Sequence, residues 1–163
     1  MECTYCDWMA SRKNTVYEDE DVTVLMYPQP ASPGHMLVLP RKHFTILEQV
    51  PPEVLGKMGV ISNKMSMIQF ETLGVAGTNM LVQNGVGAGQ TMPHFSMHLI
   101  PRNQDDGINF SWKSRPLTEE QMAAVELGLK EQLELGPQEE RIEAKKEEKQ
   151  KHSTVLKYPE RIP

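Results

Sequence analysis

Three polar side chains at alternate positions, His94, Ser96 and His98, form the strongest chemical pattern in the chain. Because successive side chains of a strand point to opposite faces, these three share one face, and the apolar residues between them pack on the other. Just upstream, 84–89 reads as a Gly-rich turn whose backbone N–H groups can approach an anion closely. Two imidazoles, a hydroxyl and amide donors predict a phosphate site, although two histidines at this spacing more often have a structural role.

The amino-terminal pair Cys3-x-x-Cys6 allows three interpretations, namely half of a zinc site, a redox pair, or chance. The redox interpretation is the weaker because no helix N-terminus evidently follows Cys3 to activate its thiol. A further histidine, His35, opens an otherwise apolar strand, and its type and place indicate a hydrogen-bonded structural residue.

Length and composition bound the classes of protein that could carry these residues. The 163 residues predict one domain, and 39% hydrophobic residues suffice for a core. A net charge of −5 argues against a non-specific binder of nucleic-acid duplexes or membrane surfaces. No apolar run reaches the ~18 residues of a membrane-spanning helix, and the polar N-terminus lacks a signal peptide, so we expect a cytosolic protein. In that reducing compartment the two cysteines are not expected to form a structural disulfide.

Periodicity predicts the elements that position the chemistry. Strands are predicted at 15–19, 22–27, 35–39, 79–83 and 94–100. A long amphipathic helix is predicted from Pro51 to about Leu73, with core positions at Val54, Met58, Ile61, Met65 and Ile68. A capping box at 118–121 opens a second helix, whose apolar face is Met122, Val125, Leu129 and Leu133. This order predicts an α+β fold with a mainly antiparallel sheet.

Charge is concentrated at the C-terminal end, where 117–163 holds 11 of the 22 acidic residues. We therefore predict a folded domain over 1–116, followed by a C-terminal helix and charged extension over 117–163. The run 139–151 predicts an exposed helical arm, either simply solvated or binding a partner. The stretch 154–159 predicts a short strand that docks on the body or on a second subunit.

Three stretches together resemble the histidine-triad (HIT) family. The string over 84–102, NGVGAGQTMPHFSMHLIPR, is similar to the family's signature, and PGHMLVLPRKH over 33–43 is similar to its second landmark. The third is Cys3-x-x-Cys6 followed by VYEDED over 16–21. The resemblance covers about residues 3–103. It implies a HIT-like fold with about five antiparallel strands, one long and one C-terminal helix, and a homodimer formed through the long helix and sheet edges.

The resemblance also implies a function and a set of site residues. Family members bind nucleotides and hydrolyse or transfer at the α-phosphate of phosphoramidates or dinucleoside polyphosphates, and the expected partner is a purine mononucleotide or such an ester. The family's middle histidine attacks phosphorus, while the third histidine and the turn amides stabilise the charge. The positions that match the phosphate-binding set are Asn84, Gly89, Gln90, Thr91, Ser96 and His98, and His35 would orient the triad from behind.

A structural zinc ion is the cofactor that the resemblance implies. The matching positions supply His43 and His94 as the two ligands that would join Cys3 and Cys6. Two thiolates and two neutral imidazoles are a standard tetrahedral zinc set. Such an ion would tie the N-terminal segment to the strand of the triad, and it would leave His98 as the imidazole available for proton transfer.

The chain departs from the family pattern at the nucleophile, because the middle triad position is Ser96. Serine needs a base to attack phosphorus, and His98 on the same face is the candidate, about 6.6 Å along the strand. The alternatives are direct attack by water, binding without turnover, or a serine introduced to trap a ligand. Two functions follow: a nucleotide hydrolase or transferase weakened by Ser96, or an inactive binding or sensing module whose C-terminal arm engages a partner.

A second departure concerns the ribose. Aligned on Gly34-His35, the position at which family members usually carry Asp or Asn is Tyr27. A tyrosine can donate one hydrogen bond or stack on a base, but it cannot accept from both ribose hydroxyls as a carboxylate does. Tyr27 therefore predicts nucleotide binding with an altered preference at the sugar.

Overall fold

The computed structural model describes residues 3–134, which form a five-stranded sheet and three α-helices. The helices are α1 (Thr4–Ser11), α2 (Pro52–Leu73) and α3 (Glu119–Glu134). The strands are β1 (Thr15–Glu18), β2 (Val22–Met26), β3 (Met36–Pro40), β4 (Gly77–Val82) and β5 (Met97–Arg102). The strand order is β1-β2-β3-β5-β4, and all neighbouring strands are antiparallel, which confirms the predicted α+β class.

The chain divides into a first unit that ends at Phe110 and a second that begins at Ser111. In the second unit the described residues are an irregular stretch over 111–118 and α3. The predicted capping box forms, because the amide of Gln121 donates to Thr118 Oγ1 at 3.2 Å and the amide of Thr118 donates to Gln121 Oε1 at 3.0 Å. The apolar face of α3 is exposed. The segments predicted over 139–151 and 154–159 lie outside the described residues.

Apolar side chains cover both faces of the sheet. On one face the strands pack against α2, around residues such as Val24, Val38, Met58 and Phe95. On the other face Leu25, Leu37 and Leu39 pack with residues at the start of α1. Burial on both faces explains why β3 is a continuous apolar run, with all five of its residues buried. Among residues 3–134, no helix combines the length and apolar character that a membrane span requires.

The long helix α2 follows the prediction except at its last core position. It begins with proline in its first turn and ends at Gly74, which adopts a left-handed φ of 62°. Ile68, predicted in the core, is 40% exposed, and its neighbour Gln69 is buried. Gln69 follows Met65 by four residues on the same face, and its Nε2 donates to the carbonyl oxygens of Gly34 (2.8 Å) and Leu99 (3.3 Å). The buried position at the end of α2 that was predicted for Ile68 is therefore occupied by the polar side chain of Gln69, which these hydrogen bonds stabilise.

Helix α1 is not predicted by the sequence pattern, and the expectation that no helix N-terminus follows Cys3 is wrong. Cys3 is the N-cap of this helix, which begins at Thr4. Tyr5, Trp8 and Met9 have the i, i+3, i+4 spacing of one helix face, but a helix of eight residues is too short to be stable alone. Contacts to the sheet stabilise it: Tyr5 is 3% exposed, and Cys3 packs with it against the β2 and β3 leucines.

The triad strand also begins later than predicted, because β5 starts at Met97 and leaves His94 and Ser96 in the preceding segment. The predicted alternation nevertheless continues through this segment. Phe95, Met97 and Leu99 pack in the core on the α2 side. His94, by contrast, lies beside Tyr5 of α1, with ring centroids 6.2 Å apart. The triad face therefore points toward α1 and away from α2.

Candidate functional site

The site lies where the segment before β5 meets α1, the start of β3 and the Gly-rich turn. One part is a small pocket, called here the triad pocket, and the other is a cluster of cysteines and histidines. The triad pocket is lined by Tyr5, Gln83, Gln90, Thr91, Met92, Ser96 and His98. Four of the predicted phosphate-site residues, Gln90, Thr91, Ser96 and His98, thus come together.

A hydrogen-bond relay fixes the tautomer of His98. The backbone N–H of Ala31 donates to His35 Nδ1 at 3.0 Å, so the proton of a neutral His35 is on Nε2. His35 Nε2 lies 3.0 Å from His98 Nδ1 and donates to it. His98 therefore carries its own proton on Nε2. This geometry places His35 in contact with the Nδ1 side of His98, while the orienting role that the family resemblance implies for His35 stays a prediction.

Burial keeps both imidazoles of the relay neutral. Burial, with a further contribution from His98, lowers the pKa of His35 to about 4. Burial also lowers the pKa of His98 below its ordinary value. At neutral pH His98 is therefore a hydrogen-bond donor at Nε2, because its only lone pair, on Nδ1, is used by His35.

This tautomer bears on the predicted Ser96–His98 pair. A general base must offer a lone pair within hydrogen-bond reach of the hydroxyl that it deprotonates. His98 offers its lone pair to His35 instead. In this arrangement His98 can donate to an anion, but it is not the base that a Ser96 nucleophile requires.

Tyrosines enclose the triad residues. The Tyr27 ring packs on His35 (centroids 4.9 Å apart) and meets His98 edge-on at 5.5 Å. The Tyr5 ring lies 5.3 Å from that of Trp8. Burial raises the pKa of Tyr5 to about 12, with a smaller contribution from Tyr27, while the neighbouring Ser96 acts in the opposite direction. The Tyr5 hydroxyl is therefore protonated, and Tyr5 lines the triad pocket together with Ser96.

The polar side chains of the Gly-rich turn are used mainly to hold the turn. Gln90 accepts from the amide of Gly85 at 2.7 Å, and its Nε2 donates to the carbonyl oxygens of Thr45 (2.7 Å) and Met92 (2.8 Å). Asn84 accepts from the amide of Leu47 and donates to Glu48, both bonds spanning the turn to the neighbouring segment. Gln90 thus shapes the triad pocket, whereas the Asn84 side chain points to the segment that precedes α2.

Close packing leaves the triad pocket small. Gly89 has a φ of 87°, and a Cβ on it would lie 2.6 Å from Gln83 Nε2, so only glycine lets Gln83 reach this position. The pocket has a volume of about 10 Å³, which is room for about one water molecule. A larger cavity of about 210 Å³ is lined by residues flanking Tyr27 and by α1, among them Trp8, Leu25, Met26 and Pro28.

The second part of the site is a cluster of Cys3, Cys6, His43 and His94, whose ligand atoms all lie within 4.8 Å of one another. His94 Nδ1 is 3.6 Å from Cys3 Sγ and 3.4 Å from Cys6 Sγ, and His43 Nδ1 is 3.4 Å from Cys6 Sγ. A tetrahedral zinc with bonds of ~2.3 Å to sulfur and ~2.0 Å to nitrogen separates such atoms by about 3.5 Å. The four residues therefore fit a zinc ion.

A backbone carbonyl orients the buried ligand of this cluster. His94 Nε2 lies 3.0 Å from the oxygen of Pro40 and donates to it, which leaves the lone pair of Nδ1 toward the sulfur atoms. Burial and the neighbouring Cys3 raise the pKa of Cys6 to about 11, as expected for two thiols that ionise together only when a cation is present.

Sequence reasoning missed Tyr5, Gln83 and Met92 as lining residues of the triad pocket. A signal for Tyr5 was available, because it lies between two cysteines that were themselves assigned to a cluster with His94. If both cysteines reach His94, the residue between them is carried to the segment before β5. Gln83 carries no comparable signal, since its position depends on packing against Gly89.

Comparison with known proteins agrees with this geometry. A family model described as the HIT domain matches residues 10–105. The chain belongs to the HIT domain family. Among solved structures it is similar to a HIT family protein from Bacillus anthracis, with a TM-score of 0.73 and 29% identity over 80% of this chain and 96% of that one. It is also similar to a Zn-bound histidine triad family protein from Mycobacterium smegmatis, with a TM-score of 0.62 and 29% identity over 74% of this chain and 87% of that one.

Two HIT-family relatives carry names that state an activity. One is the adenylylsulfatase HINT3 of Arabidopsis thaliana, 31% identical over 121 residues, which are 71% of this chain and 58% of that protein. The other is the asymmetrical bis(5'-nucleosyl)-tetraphosphatase of Schizosaccharomyces pombe, 33% identical over 78 residues, which are 48% of this chain and 43% of that protein. The matches thus span about half the length of these two relatives.

Proposed function

We propose that this HIT protein binds a purine mononucleotide, or its phosphoramidate or polyphosphate ester, with one oxygen of the α-phosphate in the triad pocket. The observation that carries the proposal is the relay from Ala31 through His35 to His98. It leaves a neutral imidazole with one N–H directed away from His35, which is a donor of the kind that phosphate oxygens accept. The nucleotide-related names of the two relatives support this ligand class.

The geometry favours binding over efficient turnover. Ser96 has no imidazole base within this relay, because the His98 lone pair is used by His35. Of the two functions that the sequence suggests, the nucleotide-binding or sensing module is therefore the better supported. Hydrolysis or transfer at the α-phosphate is the alternative. It would proceed slowly by direct attack of water, or of another acceptor in the case of transfer, which displaces the amine or polyphosphate leaving group while His98 donates a hydrogen bond to the phosphate.

The nucleoside would lie toward Trp8 and Tyr27. The cavity of about 210 Å³ has an indole and aliphatic side chains in its lining, which suits a purine ring. The rings of Trp8 and Tyr27 are 6.3 Å apart, so this cavity adjoins the tyrosine that contacts His98. Tyr27 would contact the sugar through one hydroxyl, in place of the carboxylate or amide that the family usually has there.

Zinc is proposed as a structural cofactor held by Cys3, Cys6, His43 and His94. By coordination, the ion would join the start of α1 to the segment before β5. The distances among the ligand atoms and the Zn-bound relative from Mycobacterium smegmatis support this assignment.

A homodimer through α2 and the β4 edge is also proposed. The edge strand β4 exposes Met80 (55%), and α2 exposes Met67 (57%) and Phe70 (62%). The Ser66 hydroxyl of α2 donates a hydrogen bond to Thr78 Oγ1 of β4 at 3.1 Å, so the Thr78 side chain faces α2. Met80 is two residues further along the strand and therefore lies on the same sheet face. A cytosolic location stays a prediction from the sequence, which cell fractionation would test.

Calorimetric titration and a turnover assay test the proposed function together. We expect AMP to bind the purified protein, and adenosine phosphoramidate and diadenosine tetraphosphate to be hydrolysed slowly at most. A Ser96→Ala variant should still bind AMP, more weakly through the loss of one hydroxyl donor, and should retain any residual hydrolysis. No binding of AMP or GMP overturns the proposal, and rapid hydrolysis that Ser96→Ala abolishes assigns a serine-based enzyme instead.

A further inference from the structure

Tyr5 reaches the triad pocket from an element that no phosphate-binding motif includes. It belongs to α1, which packs on the sheet face opposite α2, and its side chain is 3% exposed. The ring rests between Trp8 (5.3 Å) and His94 (6.2 Å), and it lines the pocket together with Ser96 and His98. The proposed function, built on His98, leaves this residue without a role.

The space around Ser96 indicates what Tyr5 does there. The pocket leaves a volume of about 10 Å³, enough for one water molecule. An imidazole at position 96 would replace one hydroxyl oxygen by a five-membered ring, which this space does not admit while Tyr5 keeps its position. Tyr5 and Ser96 therefore occupy together the volume that a histidine at position 96 would need.

Neighbouring contacts hold Tyr5 in place. Cys3 and Cys6 flank it in the sequence, and both belong to the cluster with His94. Its ring also packs in the apolar cluster with Leu25 and Leu37. A buried tyrosine whose ring is fixed on several sides directs its hydroxyl with little loss of conformational entropy on binding.

Resting on the proposed function, we propose that Tyr5 is a phosphate-binding residue, whose hydroxyl acts with that of Ser96 in place of the family's middle imidazole. Both hydroxyls can donate hydrogen bonds to one phosphate oxygen, which is about the size of the single water molecule that the pocket admits, beside His98 Nε2. Thr91, which lines the pocket from the turn, is exposed, so the phosphate enters from its side. The two hydroxyls bind the ligand and form no covalent bond with it.

Titration of a Tyr5→Phe variant with AMP and with adenosine tests this role. Loss of a hydrogen bond to a charged group should weaken AMP binding about tenfold or more. Adenosine, which lacks the phosphate, should bind the variant as it binds the unaltered protein. Tyr17→Phe is the matched control, because it removes a phenol hydroxyl that is bonded to Asp19 at 2.6 Å, and it should leave both affinities unchanged.

Equal AMP affinity in Tyr5→Phe overturns the role of Tyr5 and leaves the proposed function standing. An equal loss for AMP and adenosine assigns Tyr5 a merely structural role and also overturns the inference. Failure of the unaltered protein to bind AMP is a failure of the proposed function itself.

A double-mutant cycle tests the shared volume without any ligand. We expect Ser96→His to lower the thermal midpoint by several degrees when Tyr5 is present. In the Tyr5→Phe background the same substitution should lower the midpoint by clearly less. Additive losses of the two substitutions would contradict the claim that Tyr5 and Ser96 occupy the space of one imidazole.

Discussion

His35 Nε2 lies 3.0 Å from His98 Nδ1, and the Ala31 amide at the far nitrogen of His35 makes His35 the donor in this contact. A single backbone N–H thus determines, through two rings, which nitrogen of His98 can face a ligand. The relay depends on both imidazoles being neutral, since a proton on His98 Nδ1 would place two N–H donors against each other.

The relay predicts that acid destabilises the fold at a pH where most carboxylates are still ionised. His35 has a pKa of about 4 in the folded chain against 6.5 ordinarily, so between these values the unfolded chain binds a proton that the folded chain does not. The free energy of unfolding should therefore fall as the pH falls from about 6.5 to 4, by on the order of 2 kcal/mol for this group. Burial lowers the pKa values of His94 and His98 in the same sense.

Urea denaturation at a series of pH values measures this dependence. The His35→Gln variant should be less stable at pH 7, and its stability should change less between pH 6.5 and 4 than that of the unaltered chain. Subtracting the His35→Gln plot of unfolding free energy against pH from that of the unaltered chain removes contributions common to both, including loss of a bound metal in acid. Parallel curves would show that His35 does not bind its proton in the way described.

Metal removal should lower stability through the cysteine–histidine cluster. We expect one zinc per chain by elemental analysis, because the four ligand atoms have the separations of a tetrahedral site. An ion present at a thousand times its Kd contributes about 4 kcal/mol to stability, so a chelator should lower the thermal midpoint by about 10 °C.

The matched control for the chelator is the Cys3→Ser/Cys6→Ser variant. It should start at the lower midpoint, contain no zinc, and respond no further to the chelator. Metal-free native protein with two freely reactive thiols would contradict the zinc assignment.

Substitution of Gly34 should destabilise the fold, because the left-handed backbone conformation of Gly34 positions the residue that follows it, His35. Its φ is 90°, and a Cβ there would overlap Leu73 Cδ1 and lie 3.2 Å from Pro101 Cγ. Gly34→Ala should cost about 1 to 3 kcal/mol of unfolding free energy, measured by urea denaturation. Gly59→Ala, in the open on α2, meets no atom within 4 Å and should instead raise stability by up to about 1 kcal/mol. Equal effects of the two substitutions would refute this account of Gly34.

The proposed dimer predicts a clear asymmetry between the two edges of the sheet. Met80→Lys, on β4, places a charge in the proposed interface and should convert the dimer to a monomer in size-exclusion chromatography with light scattering. Val16→Lys, on the opposite edge strand β1, should leave the dimer intact. An unaltered protein that elutes as a monomer contradicts the prediction.

Sequence patterns predicted the elements whose apolar spacing is regular. The steps from Val54 to Met65 gave the core face of α2, and the triad alternation placed Phe95 and Leu99 in the core. The pattern failed where a polar side chain finds buried partners, as Gln69 does with two backbone carbonyls while Ile68 is exposed. Hydrophobic periodicity contains no information about such partners.

The site was predictable where the residue types themselves are uncommon together. Cys3, Cys6, His43 and His94 were grouped through the family resemblance, and the described chain brings them within one cluster. The roles within the triad pocket were not predictable, because they depend on how α1 packs on the sheet and brings Tyr5 to Ser96 and His98. The His98 tautomer likewise depends on an amide 67 residues away in the sequence, which only the fold brings near.

The protonation state of His98 can be read directly from the nitrogen-15 chemical shifts of its ring in the labelled protein at pH 7. The account predicts a neutral ring with its proton on Nε2, no proton on Nδ1, and a shift of the Nε2 signal when AMP is added. A proton on Nδ1, a charged imidazolium, or an Nε2 signal that AMP leaves unchanged would contradict it.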